Sequence, residues 1–168
     1  MRPKRWFPKK DWKKTKKQKV FSMTASNGRQ LTFLVPRPWN GELWAAAVKA
    51  RVAPFLKRTF PGKASFTILL DGEPLLHKPV ANAAMSAANI SVLSHWPKYS
   101  PDLNPQEHVW SWSEGRLRDL ETGRDSFASF RQKVIKAVNA YPSSDKLVGS
   151  MARKCKAVLA RSGGMLDD

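Results

Sequence analysis

The chain has one cysteine, Cys155, in 168 residues. An internal disulfide is therefore excluded, and the composition fits a reducing compartment. Long apolar runs are missing too: none approaches the roughly 18 residues that a membrane span needs. The opening is charged and has no apolar stretch after it, which excludes a signal-peptide pattern. Acid is scarce, with 13 Asp and Glu against 30 Lys and Arg, for a formal charge of +17. Before Asp71 the carboxylates are Asp11 and Glu42 alone. Asp11 lies among lysines with no strand pattern around it. Glu42 falls at an expected helix start, where the helix dipole accounts for it.

What is present is positive charge and enough apolar residues, 42%, for one cored domain. Residues 1–19 hold ten Lys and Arg and one acid, so they supply +9 of the total. Such a field favours polyanions, nucleic acid first and acidic membrane second. The candidate nucleic-acid contacts are Arg2, Lys4, Arg5, Lys9, Lys10, Lys13, Lys14, Lys16 and Lys17. Trp6 and Trp12 are interleaved with them, which suits stacking or surface packing. A solvated tail is the alternative. Lys13-Lys14-Thr15-Lys16-Lys17 also has the look of a nuclear-import run, a weak signal at this length.

Alternation predicts strands over Val20–Ala25 and Gln30–Val35, joined by an Asn27-Gly28 hairpin turn. Asn40 caps a predicted helix from about Gly41 toward Arg58, with a kink or break at Pro54. Ser65–Leu70 reads as a short buried strand. Pro79 opens a helix through Ala88, and Ile90–Leu93 is the next strand. A strand–helix–strand unit of this length predicts two parallel, adjacent strands. Helices follow from Pro105 to about Leu120, from Ser126 to about Ala140, and from Ser143 or Ser144 to about Arg161. The fold class is α/β, with the helical C-terminal third covering a sheet. The parts are a basic segment at 1–19, a domain over 20–162 and a tail at 163–168.

Asp71 ends the run Phe66-Thr67-Ile68-Leu69-Leu70, at the strand edge where α/β sheets place their sites. A loop acid accepting backbone hydrogen bonds is the plain alternative. Glu107 stands in Asn104-Pro105-Gln106-Glu107, a helix start with Asn as cap, Pro at the first position and Glu reaching back to the cap. Capping alone explains it. Together, two carboxylates at a strand end and a helix start can converge on a divalent metal, the chemistry of phosphoryl transfer.

Asp71, His77 and the run Ser100-Pro101-Asp102-Leu103-Asn104-Pro105-Gln106-Glu107-His108-Val109-Trp110 resemble the catalytic domain of the mariner-like transposases. That family carries an Asp at a strand end, closely followed by Pro and His, and then W-P-x-x-S-P-D-L-N-P-x-E-x-x-W, here Trp96 through Trp110. The resemblance implies a retroviral-integrase or RNase H-like fold, a mixed sheet flanked by helices. It implies a DDE endonuclease and strand-transfer activity on DNA, with Asp71 and Glu107 as second and third members of an acidic triad. These two would be catalytic and metal-binding, for Mg²⁺ or Mn²⁺, two ions in the complete enzyme. Acidic ligands suit such hard cations. His77 and Asn104 would be supporting residues: His77 beside the phosphate or the metal shell, or merely structural, and Asn104 as the helix cap. DNA is the implied partner, with no membrane, a homodimer as the implied assembly, and the nucleus as the site in a eukaryote, otherwise an intracellular location. Trp96, Trp110 and Trp112 are expected to pack rather than to stack on bases.

The pattern departs in places. Gly72 stands where the family has Asn, and His77 lies one residue further from the Asp. The triad's first Asp and its strand have no counterpart, and neither does the helix-turn-helix region that reads transposon ends. The expectation is therefore an N-terminally truncated or degenerate copy that lacks its first strand and has little or no strand transfer of its own. The other readings are a non-catalytic basic nucleic-acid-binding protein derived from a transposase, and a ribosomal or chromatin-like basic protein.

Overall fold

The computed structural model describes residues 18–94, 96, 100–120, 125–142 and 144–163. The expected nucleic-acid residues Arg2 to Lys17, with Trp6 and Trp12, lie outside them. The first element is the predicted hairpin. β1 (Val20–Thr24) runs antiparallel to β2 (Gln30–Leu34), with Val20 opposite Leu34 and Thr24 opposite Gln30. Gly28 takes a φ of 82° in the turn, a conformation that suits glycine because it has no Cβ.

Asn40 caps the next helix as expected, its Oδ1 accepting the Leu43 N–H at 2.9 Å. That helix is continuous from Gly41 to Thr59: α1 (Gly41–Ala47), a π-helical turn (Val48–Val52) and α2 (Ala53–Thr59). The expected kink or break at Pro54 is thus replaced by a π turn just ahead of it. Proline lacks an N–H, and its ring crowds the carbonyl four residues back, here Ala50. Widening the turn to hydrogen bonds five residues apart relieves that conflict without ending the helix.

The helix buries Trp44, Val48, Val52, Phe55 and Leu56 against Ala81, Ala84 and Met85 of α3 (Pro79–Ala87). Trp44 is fully buried, its ring centroid 4.9 Å from that of Phe21 on β1. Its indole N–H has no hydrogen-bond partner among the described residues, a loss that the burial of so large a side chain outweighs. Phe66 and Ile68 of β3 (Phe66–Ile68) and Ile90 of β4 (Ile90–Val92) complete this core. β3 and β4 pair in parallel as the strand–helix–strand reading predicts, Phe66 opposite Ile90, but both strands are shorter than expected.

The mixed α/β class holds, while the single sheet does not. Among the described residues the strands form two separate pairs, β1–β2 and β3–β4, with no ladder between them. Each pair is nevertheless packed on the same core, where Phe21, Met23 and Leu31 meet the cluster that contains Ile68 and Ile90. Side-chain packing therefore joins what backbone pairing leaves apart.

The C-terminal third is helical. α4 (Pro105–Asp119), α5 (Phe127–Asn139) and α6 (Ser144–Gly149) share a second cluster of Val109, Val138 and Leu147, flanked by Trp110 and Tyr141. Trp112 meets Tyr141 edge-on with centroids 5.8 Å apart, and Trp96 is half-buried, so these tryptophans pack as expected. The predicted last helix is two: α6 stops at Gly149, and α7 (Met151–Ala160) follows. Gly149 weakens the helix there, and Ser150 Oγ donates to the Leu147 carbonyl at 2.7 Å instead of leaving it to the helix ladder. α6 also seats the hairpin: a Cβ on Gly28 would lie 2.7 Å from the backbone nitrogen of Asp145. Among the described residues no helix is long and apolar enough to cross a membrane.

Candidate active site

Asp71 lies three residues beyond the end of β3, after the half-buried Leu69 and Leu70, and is exposed. Its carboxylate Oδ1 accepts the N–H of Gly72 at 2.7 Å. The second carboxylate oxygen has no hydrogen bond or ion pair among the described residues. The short 3₁₀ turn Pro74–His77 folds back so that His77 Nε2 donates to the Asp71 backbone carbonyl at 2.9 Å. His77's own carbonyl accepts from Asn82 Nδ2 at 3.2 Å, which ties the loop to α3. The structure therefore brings Asp71 and His77 together, but through the backbone. The imidazole braces the loop that presents the acid.

Glu73, two residues on, is held by Lys19 in an ion pair, both side chains partly exposed. This pair connects the start of β1 to the loop after β3. At that degree of exposure it contributes about 1 kcal/mol or less, so its value is in positioning.

The start of α4 is built as the sequence predicts, with one correction. Asn104 caps it, its Oδ1 accepting the Gln106 N–H at 3.1 Å, and Pro105 occupies the first helical position. The return half of the capping box is not made. Glu107 is exposed, and among the described residues its carboxylate has no hydrogen bond or ion pair. The simplest structural explanation of Glu107, a reach back to the cap, is thereby removed. What remains is a free carboxylate in the first turn of a fifteen-residue helix, electrostatically favoured there by the dipole.

Sequence reasoning missed the contact that orients this turn. Thr24 Oγ1 donates to Gln106 Oε1 at 3.2 Å across 82 residues of chain. No local pattern signals it, because Thr24 alternates normally within a strand and Gln106 looks like a generic first-turn polar residue. The contact puts α4's first turn at the far end of β1 from Lys19. Five steps of extended chain, about 17 Å, separate Lys19 from Thr24. No hydrogen bond or ion pair joins Asp71 to Glu107. Among the described residues no three His, Cys, Asp or Glu side chains gather closely enough to hold a metal ion.

Comparison with known proteins gives the family of the chain. A family model described as DDE superfamily endonuclease matches residues 3–127, which is most of the chain and includes both candidate acids. The chain belongs to that family. It is similar to the Tc1 transposase of Caenorhabditis elegans, with 42% identity over 73 residues, and to the Tcb1 and Tcb2 transposases of Caenorhabditis briggsae, with 37% over 76 and 38% over 74. Each match covers 42% of this chain and 26% of the relative, so the chain spans about a quarter of the length of these curated relatives. The transposase resemblance read from the Trp96–Trp110 motif is borne out.

Proposed function

We propose that this chain carries part of the catalytic machinery of a DNA transposase, on an RNase H-like scaffold, with Asp71 and Glu107 as its metal-binding carboxylates. The observation that carries the reading is the exposed carboxylate of Glu107 in the first turn of α4, without a partner among the described residues, where the family motif puts a catalytic acid and where capping does not use it. The donor chemistry fits: both groups are carboxylates, the hard oxygen donors that Mg²⁺ or Mn²⁺ selects. Asp71 keeps one carboxylate oxygen free while Gly72 fixes the other, and His77 holds the loop. When bound, a divalent ion supplies Lewis-acid activation of water or a DNA 3′-hydroxyl and neutralises charge on the phosphodiester. The protein's own part is to present two carboxylates from separate rigid elements, a strand end and a capped helix start.

Calorimetric titration of the whole chain with Mn²⁺ tests the assignment. Binding is expected in the native chain and is expected to be lost in Asp71→Ala and in Glu107→Gln. A titration unchanged by Asp71→Ala refutes the site. A second reading, a non-catalytic DNA-binding protein on the same scaffold, is favoured by the lack of a three-acid group among the described residues. It predicts DNA affinity that survives both substitutions and falls steeply with salt, with no nicking of supercoiled plasmid in Mn²⁺.

A further inference from the structure

Between Glu42 and Asp71 the chain carries five cations, Lys49, Arg51, Lys57, Arg58 and Lys63, and no acid. All five are exposed. They lie on or just beyond the continuous helix Gly41–Thr59, whose other face is the main core. None has an ion-pair or hydrogen-bond partner among the described residues; Arg51 alone is engaged, its guanidinium 5.2 Å above the ring of Phe33. The remaining helices carry cations of their own, Lys136 and Lys156 exposed among them, and several others are engaged or lie beside acids. On α4 the exposed Arg116 and Arg118 sit beside Glu114 and Asp119. On α5 Lys133 is paired with Asp125, and on α7 Lys154 donates to His108.

We propose that the outer face of this helix is a DNA-backbone surface, additional to the basic N-terminal segment and separate from the two carboxylates. The chemistry is that of phosphate contact rather than base reading. Lysines and arginines without protein partners retain their full charge for phosphate oxygens and release counterions from DNA on contact. The exposed residues beside them, Ala46 and Ala50, are small, which lets a duplex approach the helix closely. At 1.5 Å per residue the helix is about 28 Å long, and Lys49 and Lys57 are about 12 Å apart along it. With 3.4 Å per step of each strand, the roughly 12 Å between Lys49 and Lys57 matches about three to four base pairs. Arg51, stacked on Phe33 of β2, anchors one side of the strip to the hairpin. The inference rests on the nucleic-acid reading above, but not on the metal site.

The test is binding of the full chain to a 20-base-pair duplex of arbitrary sequence, in EDTA, across a salt series. Lys49→Gln, Lys57→Gln and Arg58→Gln are combined in one variant. A control variant combines Arg116→Gln, Arg118→Gln and Lys136→Gln, which removes the same charge from exposed positions on α4 and α5. Both must keep the native circular dichroism spectrum and melting midpoint; should the first variant not fold, the single Lys57→Gln variant is read against Lys136→Gln. The expected result is binding weakened at least about tenfold at 0.1 M salt, with a log–log salt slope shallower by about 2–3, since each phosphate contact contributes about 0.9. The control is expected to stay within about threefold of the native chain. Equal losses in the two variants, no loss in the first, or tighter binding to phosphatidylserine vesicles than to the duplex overturns the proposal. EDTA makes its failure distinguishable from that of the carboxylate site, which is read only in added Mn²⁺.

Discussion

Replacing Gly28 by alanine tests how the two halves of the molecule are held together. Two effects add at this position. The first is conformational: φ is 82°, and an L-residue there costs about 1–2 kcal/mol. The second is steric. An added Cβ would stand 2.7 Å from Asp145 N, 2.9 Å from its Cα and 2.9 Å from its Cβ, against backbone that no rotamer change can move aside. Pushing α6 away from the hairpin is an overpacking strain of about 1–3 kcal/mol. The sum is about 2–5 kcal/mol, and at about 2–4 °C per kcal/mol for a chain of this size the melting midpoint falls by roughly 4–20 °C. Gly62→Ala separates the two effects. Gly62 has a φ of 80° but nothing within 4 Å of an added Cβ, so it should lose only the conformational part, about 1–2 kcal/mol. Urea titrations of both variants, followed by circular dichroism, give the comparison. If Gly28→Ala loses no more stability than Gly62→Ala, the seating of the hairpin tip on α6 is wrong.

Two further substitutions probe the helix that presents Glu107. Asn104→Ala removes the cap on the Gln106 N–H and is expected to cost about 1 kcal/mol in urea unfolding. Thr24→Val removes the donor to Gln106 Oε1 and leaves a side chain whose Nε2 is already buried and unpartnered with neither end bonded, for a loss of about 1–3 kcal/mol by the same measurement.

The features that could be read from the chain are those decided within a few residues. Asn27-Gly28 gives the hairpin because the turn needs a positive φ where glycine stands. Asn40 and Asn104 cap their helices because a short side-chain acceptor reaches an N–H two or three residues on. The parallel β3–β4 pair follows from the length of the crossover through α3. The features that escaped depend on partners far away in sequence. The split into two strand pairs is set by which edges meet, and nothing in either pair announces that it stays apart from the other. The Lys19–Glu73 and Thr24–Gln106 contacts, which orient the ends of β1 toward the two acid-bearing elements, join residues 54 and 82 positions apart. Glu107 shows the same division. Its place at a helix start was legible, whereas the freedom of its carboxylate was not, because the capping pattern satisfies the rule of spacing without forming the second bond.

The π turn at Val48–Val52 has a consequence for how the helix tolerates changes of length. A turn whose hydrogen bonds span five residues holds one residue more than an α-helix needs to connect the same two faces. Deleting a single residue within it lets the backbone relax to an ordinary α-helix while Trp44 upstream and Phe55 downstream keep facing the core. In α4 the same deletion would swing everything beyond it by about 100° around the axis and tear Val109 from its cluster or Asn104 from its cap. One helix therefore carries slack in its register, and the one that bears the candidate acid has none.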